Sequence, residues 1–144
     1  MKVKEIMTCN VETIDSDANL VEAAGKMRSL EVGALPVWKD DELVGMVTDR
    51  DMAIRAVAEG KDPSGTSVKE IMTSNVRCCF EDDDIHEAAE MMEEESIHRL
   101  LVLNSDKRPI GFISLADFAV KSRDERLAWE ILEKISEPAC PHRL

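Results

Sequence analysis

Apolar residues at Leu20, Ala23, Ala24 and Met27 fall at i, i+3, i+4 and i+7, the spacing of one helix face. Asp17, just ahead of them, is the expected N-cap. Two short apolar runs come next, 34–38 and 43–47, split by the charged turn KDDE at 39–42. Such runs fit strands buried on both faces. A short extended piece at 11–14 precedes the helix, and a second helix over 50–59 succeeds the strands and stops at Gly60. The predicted order is β-α-β-β-α.

The same order returns. VKEIMTCNV at 3–11 reappears as VKEIMTSNV at 68–76, with eight of nine letters identical at an offset of 65. Leu20, Ala23, Ala24 and Met27 align with Ile85, Ala88, Ala89 and Met92, and Leu35 and Val37 with Leu100 and Val102. After one extra residue near 107–109 the offset is 66, and GMVTDRD at 45–51 meets GFISLAD at 111–117. Copy two therefore has an extended piece at 76–80, an N-cap at Asp82, strands at 100–103 and 110–114 around the turn 104–109, and a helix over 115–121. The stretch GKDPSG at 60–65 joins the copies. This gives repeat one at 1–60, a linker at 61–67, repeat two at 68–121, and a C-terminal helix and tail at 122–144. The tail helix spans 122–135, with Leu127, Ile131, Leu132 and Ile135 on one stripe, Trp129 off it, and Pro138 and Pro141 beyond its end.

A copy of about 60 residues buries only about 60% of its unfolded surface, which is marginal. The expectation is one α/β (α+β) pair: two repeats packed face to face with pseudo-twofold symmetry, leaving two related clefts between them. Composition narrows the partners. Of 144 residues, 30 are acidic and 18 basic, for a net charge of −12, and the acid excess runs through both copies. That field repels a nucleic-acid backbone but says little about one small nucleotide. No apolar run nears the roughly 20 residues of a membrane span, and MKVKEIMTC has no apolar signal-peptide core. The expected address is the cytoplasm, where Cys9, Cys78, Cys79 and Cys140 stay reduced. Of the eight methionines, Met27, Met91 and Met92 sit at core spacing; Met7 and Met72, equivalent in the two copies, either pack the lead-in or line a pocket, with packing favoured.

The lead-in VKEIMT, the GALPV strand at 33–37 and the glycine–strand–Thr/Ser-x-x-Asp ending, each within a matching β-α-β-β-α unit, resemble cystathionine-β-synthase (CBS) domains. The pair resembles a Bateman module of the stand-alone type, over about residues 1–121. The resemblance implies a regulatory sensor without enzyme chemistry. Such a sensor binds an adenosine-containing nucleotide or cofactor (AMP, ADP, ATP, NAD or S-adenosylmethionine) in a cleft between the repeats, with AMP or ATP favoured. It also implies a homodimer, for which the helices at 50–59 and 115–121 are the contact surface, and an effector protein through which the module signals.

Within that resemblance, candidate site residues can be named. Gly45 and Gly111 allow backbone or ligand to approach closely. Thr48 and Ser114 bring hydroxyls to the strand-to-helix handover, where a helix N-terminus attracts phosphate. Asp51 and Asp117, three residues on, can accept both hydroxyls of a ribose. Arg50 sits near the phosphate position in copy one. His98 and Arg99 precede the strand in copy two, where copy one has Gly33 and Ala34; an arginine there is of interest because arginine is rarely buried without an anion. The set of Thr48, Arg50, Asp51, Ser114, Asp117, Arg99, His98 and Ala34 is the nucleotide-binding candidate. The plain alternative is helix capping by Thr48, Ser114 and the two acids. Two rival functions stand beside the sensor. One is an interaction module whose clefts bind nothing. The other is a redox or metal-responsive protein using Cys140, His142 and Cys78 or Cys79, whose spacing matches no known zinc pattern. No metal site is assigned.

Overall fold

The computed structural model describes residues 1–9 and 11–137. In chain order the elements are α1 (Val3–Ile6), β1 (Thr8–Cys9), β2 (Ile14–Asp15), α2 (Leu20–Leu30), β3 (Ala34–Lys39), β4 (Glu42–Thr48) and α3 (Asp49–Asp51), which runs on as a π-helix over Met52–Val57. A 3-10 turn (Val68–Glu70), β5 (Cys78–Phe80), α4 (Ile85–Glu95), β6 (Arg99–Leu103), β7 (Pro109–Ser114), α5 (Leu115–Lys121) and α6 (Glu125–Ile135) complete it. The fold is mixed α and β, with a sheet and helices in each repeat. Among the described residues no helix is long and apolar enough to cross a membrane.

Several local expectations are corrected. The second helix of copy one starts at Asp49 and widens to π winding at Met52, instead of running evenly over 50–59. The N-caps are Asn19 and Asp84, two residues beyond the expected Asp17 and Asp82. Those two acids instead receive lysines of the lead-ins: Lys69 lies 2.8 Å from Asp17, and Lys4 lies 2.9 Å from Asp82. The tail helix starts at Glu125 because Ser122 accepts from the Asp124 amide and Arg123 turns to φ 59°, which ends α5 first. Pro138 and Pro141 lie outside the described residues.

Packing does not obey the letter-level repeats. One compact unit joins Met1–Asn10 to Arg77–Leu144, and the other is Val11–Val76. In unit one the sheet order is β1-β7-β6-β5; β5 runs parallel to β6, and the other pairs are antiparallel. Its core holds Val3 and Ile6 from the lead-in beside Ile85, Met92, Ile113, Phe118 and Ile131. Unit two has the order β2-β3-β4, with Val68 and Ile71 in its core beside Leu20, Met27, Leu35, Val37 and Val47. Each lead-in thus completes the core of the unit built from the other copy's strands and helices.

Glycine makes this possible. A Cβ on Gly111 would stand 2.6 Å from the Thr8 carbonyl oxygen, and one on Gly45 2.8 Å from that of Thr73. The close approach at both glycines is therefore made by the lead-ins: first by backbone at Gly111, and at Gly45 by the Met72 sulfur at 2.6 Å together with the Thr73 carbonyl. Met7 and Met72 pack against the two cores, in keeping with their shared repeat position.

The repeats agree in finer detail. Glu31 and Ser96 take the left-handed conformation at equivalent helix ends, and the register shifts at Val37/Trp38 and Val102/Leu103 are also equivalent. Asp40 and Asp41, both at positive φ, make the two-residue hairpin between β3 and β4.

Candidate functional site

The strand-to-helix handover is built the same way twice. In unit two, Thr48 ends β4, and its Oγ1 accepts from the Asp51 amide at 3.0 Å. The Thr48 amide donates back to Asp51 Oδ2 at 3.0 Å. This reciprocal capping box satisfies two helix-end donors at once. In unit one the Ser114 amide donates to Asp117 Oδ2 at 2.9 Å, and the Asp117 amide donates to Ser114 Oγ at 3.4 Å. Asp51 is 9% and Asp117 6% exposed, unusual for acids and supported here by backbone donors.

Cross-strand register brings further candidates alongside. Ala34 lies opposite Thr48, and Arg99 opposite Ser114. His98 accepts the Leu115 amide at 3.0 Å through its carbonyl, as Gly33 accepts the Asp49 amide at 2.9 Å. The candidates thus gather as two sets: Ala34, Thr48, Arg50 and Asp51 in unit two, and His98, Arg99, Ser114 and Asp117 in unit one. Arg50, His98 and Arg99 are exposed and Ala34 is buried. Arg99 therefore needs no anion to compensate for burial, which removes the burial argument for it.

One expectation fails in unit two. The amides of Thr48, Asp49, Arg50 and Asp51 bond to Asp51, the Gly33 carbonyl, the Asp49 carboxylate and Thr48, so this helix start holds no open row of donors for a phosphate. Positive charge here comes from side chains.

Four residues beyond the candidate set complete the geometry. Thr8 Oγ1 donates to Asp117 Oδ1 at 3.1 Å, and Lys121 Nζ lies 3.0 Å from the same oxygen. Arg55, the repeat counterpart of Lys121, stands 3.9 Å from Asp51 Oδ1 and sends Nη1 to the carbonyls of Ile71 and Met72 at 3.1 and 3.2 Å. Asp49 Oδ1 accepts the Arg50 amide, and Asp49 Oδ2 would crowd any Cβ on Gly33. The signal for the two bases was legible: each aspartate has a basic residue four positions on, the spacing of neighbours on a helix. The bond from Thr8 needed knowledge of which unit the lead-in joins.

The metal and redox residues are differently placed. Cys140 and His142 lie outside the described residues. Cys79 is buried, and burial first, with the Asp83 charge next, pushes its thiol up to about 12. Burial also raises Cys78. A thiol held protonated is a poor nucleophile and a poor metal ligand. Among the described residues no three His, Cys, Asp or Glu side chains gather as for a metal ion.

Known proteins share this arrangement. A family model for the CBS domain matches residues 3–57 and again 68–123. The CBS domain-containing protein YhcV of Bacillus subtilis (strain 168) is 34% identical over 134 residues, 93% of this chain and 94% of that protein. The crystal structure of Hypoxic Response Protein I with two coordinated zinc ions superposes with a TM-score of 0.73 at 32% identity, over 84% of this chain and 98% of that one. The conserved CBS domain protein TA0289 of Thermoplasma acidophilum gives a TM-score of 0.77 at 22% identity, over 93% and 75%, and is a likeness of fold alone. With two matched copies across most of its length, the chain belongs to the CBS domain family as a CBS pair.

Proposed function

We propose that this chain is a non-catalytic regulatory module that binds an adenosine-containing nucleotide or cofactor and passes the binding event to a partner protein. CBS pairs are generally regulatory and generally bind adenosine ligands, which supports the class. AMP or ATP is favoured, with ADP, NAD and S-adenosylmethionine as the other candidates. The observation that carries the reading is Asp51: nine-tenths buried, held through Oδ2 by the Thr48 amide, with Oδ1 in only a 3.9 Å contact. A carboxylate fixed by one oxygen presents the other to a ribose diol with little rearrangement. Thr48 and Ala34 border it, and Arg50 supplies a guanidinium suited to phosphate. Ser114, Asp117, Arg99 and His98 form the corresponding set in unit one.

The test is calorimetry with AMP, ADP, ATP, NAD and S-adenosylmethionine on the whole chain and on Asp51→Asn, which keeps a capping acceptor. Binding to the wild type that falls about ten- to a hundred-fold in the variant is expected for a lost charge-assisted bond. No heat from any of the five at millimolar concentration sinks the sensor reading and leaves an interaction module, since both boxes also act as helix caps.

The same proposal includes a homodimer. Unit two has an apolar groove of about 400 Å³ lined by Val21, Ala24, Arg28, Met52 and Val57, and unit one has one of about 480 Å³ lined by Leu115, Ala119, Glu125, Trp129 and Leu132. Each contains one ionisable residue, Arg28 in the first and Glu125 in the second, so the grooves of two copies are complementary in charge. Light scattering that returns the mass of a single chain would overturn the dimer.

A further inference from the structure

The two carboxylates at the handovers occupy equivalent positions but are in different states. An ionised carboxylate has about four acceptor sites. Asp117 fills them: Oδ2 takes the Ser114 amide at 2.9 Å and Ser114 Oγ at 3.1 Å, while Oδ1 takes Thr8 Oγ1 at 3.1 Å and Lys121 Nζ at 3.0 Å. Asp51 holds the Thr48 amide at 3.0 Å and faces Arg55 at 3.9 Å. Arg55 is drawn off by the carbonyls of Ile71 and Met72. Thr73 pairs through its backbone with Met46 as its repeat counterpart Thr8 does with Phe112, but among the described residues Asp51 receives no hydroxyl from it.

We infer that unit two alone offers an open ribose-binding carboxylate, and that Thr8 and Lys121 occupy its unit-one counterpart, making that a latent site. This rests on the adenosine-nucleotide reading above and assigns it to one half of the chain. A diol arriving at Asp117 must displace both a hydroxyl and an ammonium, and recovers only what it displaces. A diol arriving at Asp51 adds bonds without removing any. Thr8 and Lys121 are thus specificity-determining residues that act through Asp117. Nucleotides without a 2′-hydroxyl lose little at unit one and much at unit two.

The experiment is a calorimetric titration of the whole chain with AMP and with 2′-deoxy-AMP. The wild type takes one AMP per chain, and 2′-deoxy-AMP binds it about tenfold or more weakly. Asp51→Asn removes that preference. Thr8→Val with Lys121→Ala raises the AMP stoichiometry toward two, and each single change opens the second site in part. Both altered residues are exposed, so the fold survives, which a melting curve checks. Two equal AMP sites in the wild type overturn the inference while leaving nucleotide binding intact. So does a double variant that still binds one AMP, or an Asp51→Asn that still prefers AMP to its deoxy form. A wild type that binds no AMP overturns this inference, and only silence from ADP, ATP, NAD and S-adenosylmethionine as well overturns the nucleotide reading itself.

Discussion

In unit one the groove between α4 and α5 is filled by α6, which buries Ala89 to 1% and Phe118 completely. In unit two the equivalent groove, between α2 and the π-helix after α3, stays open: Ala24 is exposed, Met52 is half-buried, and Val57 is 72% exposed. The two helix pairs carry the same apolar spacing, but only the second is succeeded in the chain by an amphipathic helix. Hydrophobic periodicity therefore tells which face is sticky in both copies. It does not tell which of the two this chain covers itself.

The largest effect expected from breaking this contrast comes from removing α6. Truncation after residue 122 uncovers Phe118 and Ala89 together, and a unit that already depends on a borrowed lead-in should lose cooperative folding. Native-state hydrogen exchange is the measurement: protection lost over 77–121 and kept over 11–76 supports the contrast, and equal protection in both would break it. Next come Ile6→Ala and Ile71→Ala, each at a fully buried lead-in position. Each should cost about 2–5 kcal/mol. The informative feature is where exchange rises. Ile6→Ala should loosen 77–137 and Ile71→Ala should loosen 11–67. The reverse pattern would refute the exchange of lead-ins.

Sequence carried the fold far because the chain states it twice. Offsets of 65 and 66 placed both helix–strand–strand–helix units, and α5 has its expected bounds. Reasoning from spacing failed where a contact crosses the repeat boundary. Asp17 and Asp82 looked like caps because they precede apolar stripes, yet the lysines that claim them lie in the lead-ins, and the caps moved to Asn19 and Asp84. The Thr/Ser-x-x-Asp junctions were legible as motifs. Their different occupancy was not, because it depends on whether a lead-in threonine reaches the carboxylate.

Smaller effects sharpen the comparison at the glycines. Gly111→Ala and Gly45→Ala both push a methyl against a lead-in carbonyl, and backbone cannot yield as a side-chain tip can. A cost of about 1–3 kcal/mol is expected for such overpacking. Gly111→Ala should cost more, since its collision is with β1, a strand of the sheet, whereas Gly45 faces an isolated bridge at Thr73. Urea denaturation midpoints decide the order, and a harmless Gly111→Ala would mean that the lead-in strand can slide.

The smallest effect belongs to the lysine–aspartate fasteners, which are exposed and so contribute little. Their hydrogen bonds and charges hold Asp17 and Asp82 below the usual carboxylate range and raise Lys4 and Lys69. For the acids, the lowered folded value means stability that is present above the unfolded pKa, about 3.9, and lost as pH falls through the lowered one. For the lysines, the raised folded value means stability that is present below about 10.4 and lost only as pH climbs through the raised one. Between those limits the fasteners are pH-independent. Lys69→Met should therefore lower the melting temperature slightly at pH 7, by less in strong salt, and not at all once the carboxylates are protonated. Lys4→Met should act in the same direction but less, because Lys2 remains 3.5 Å from Asp82. A melting difference that persists unchanged in acid would show that the lysine stems, packed along the lead-in, and not their charges, hold the segment in place.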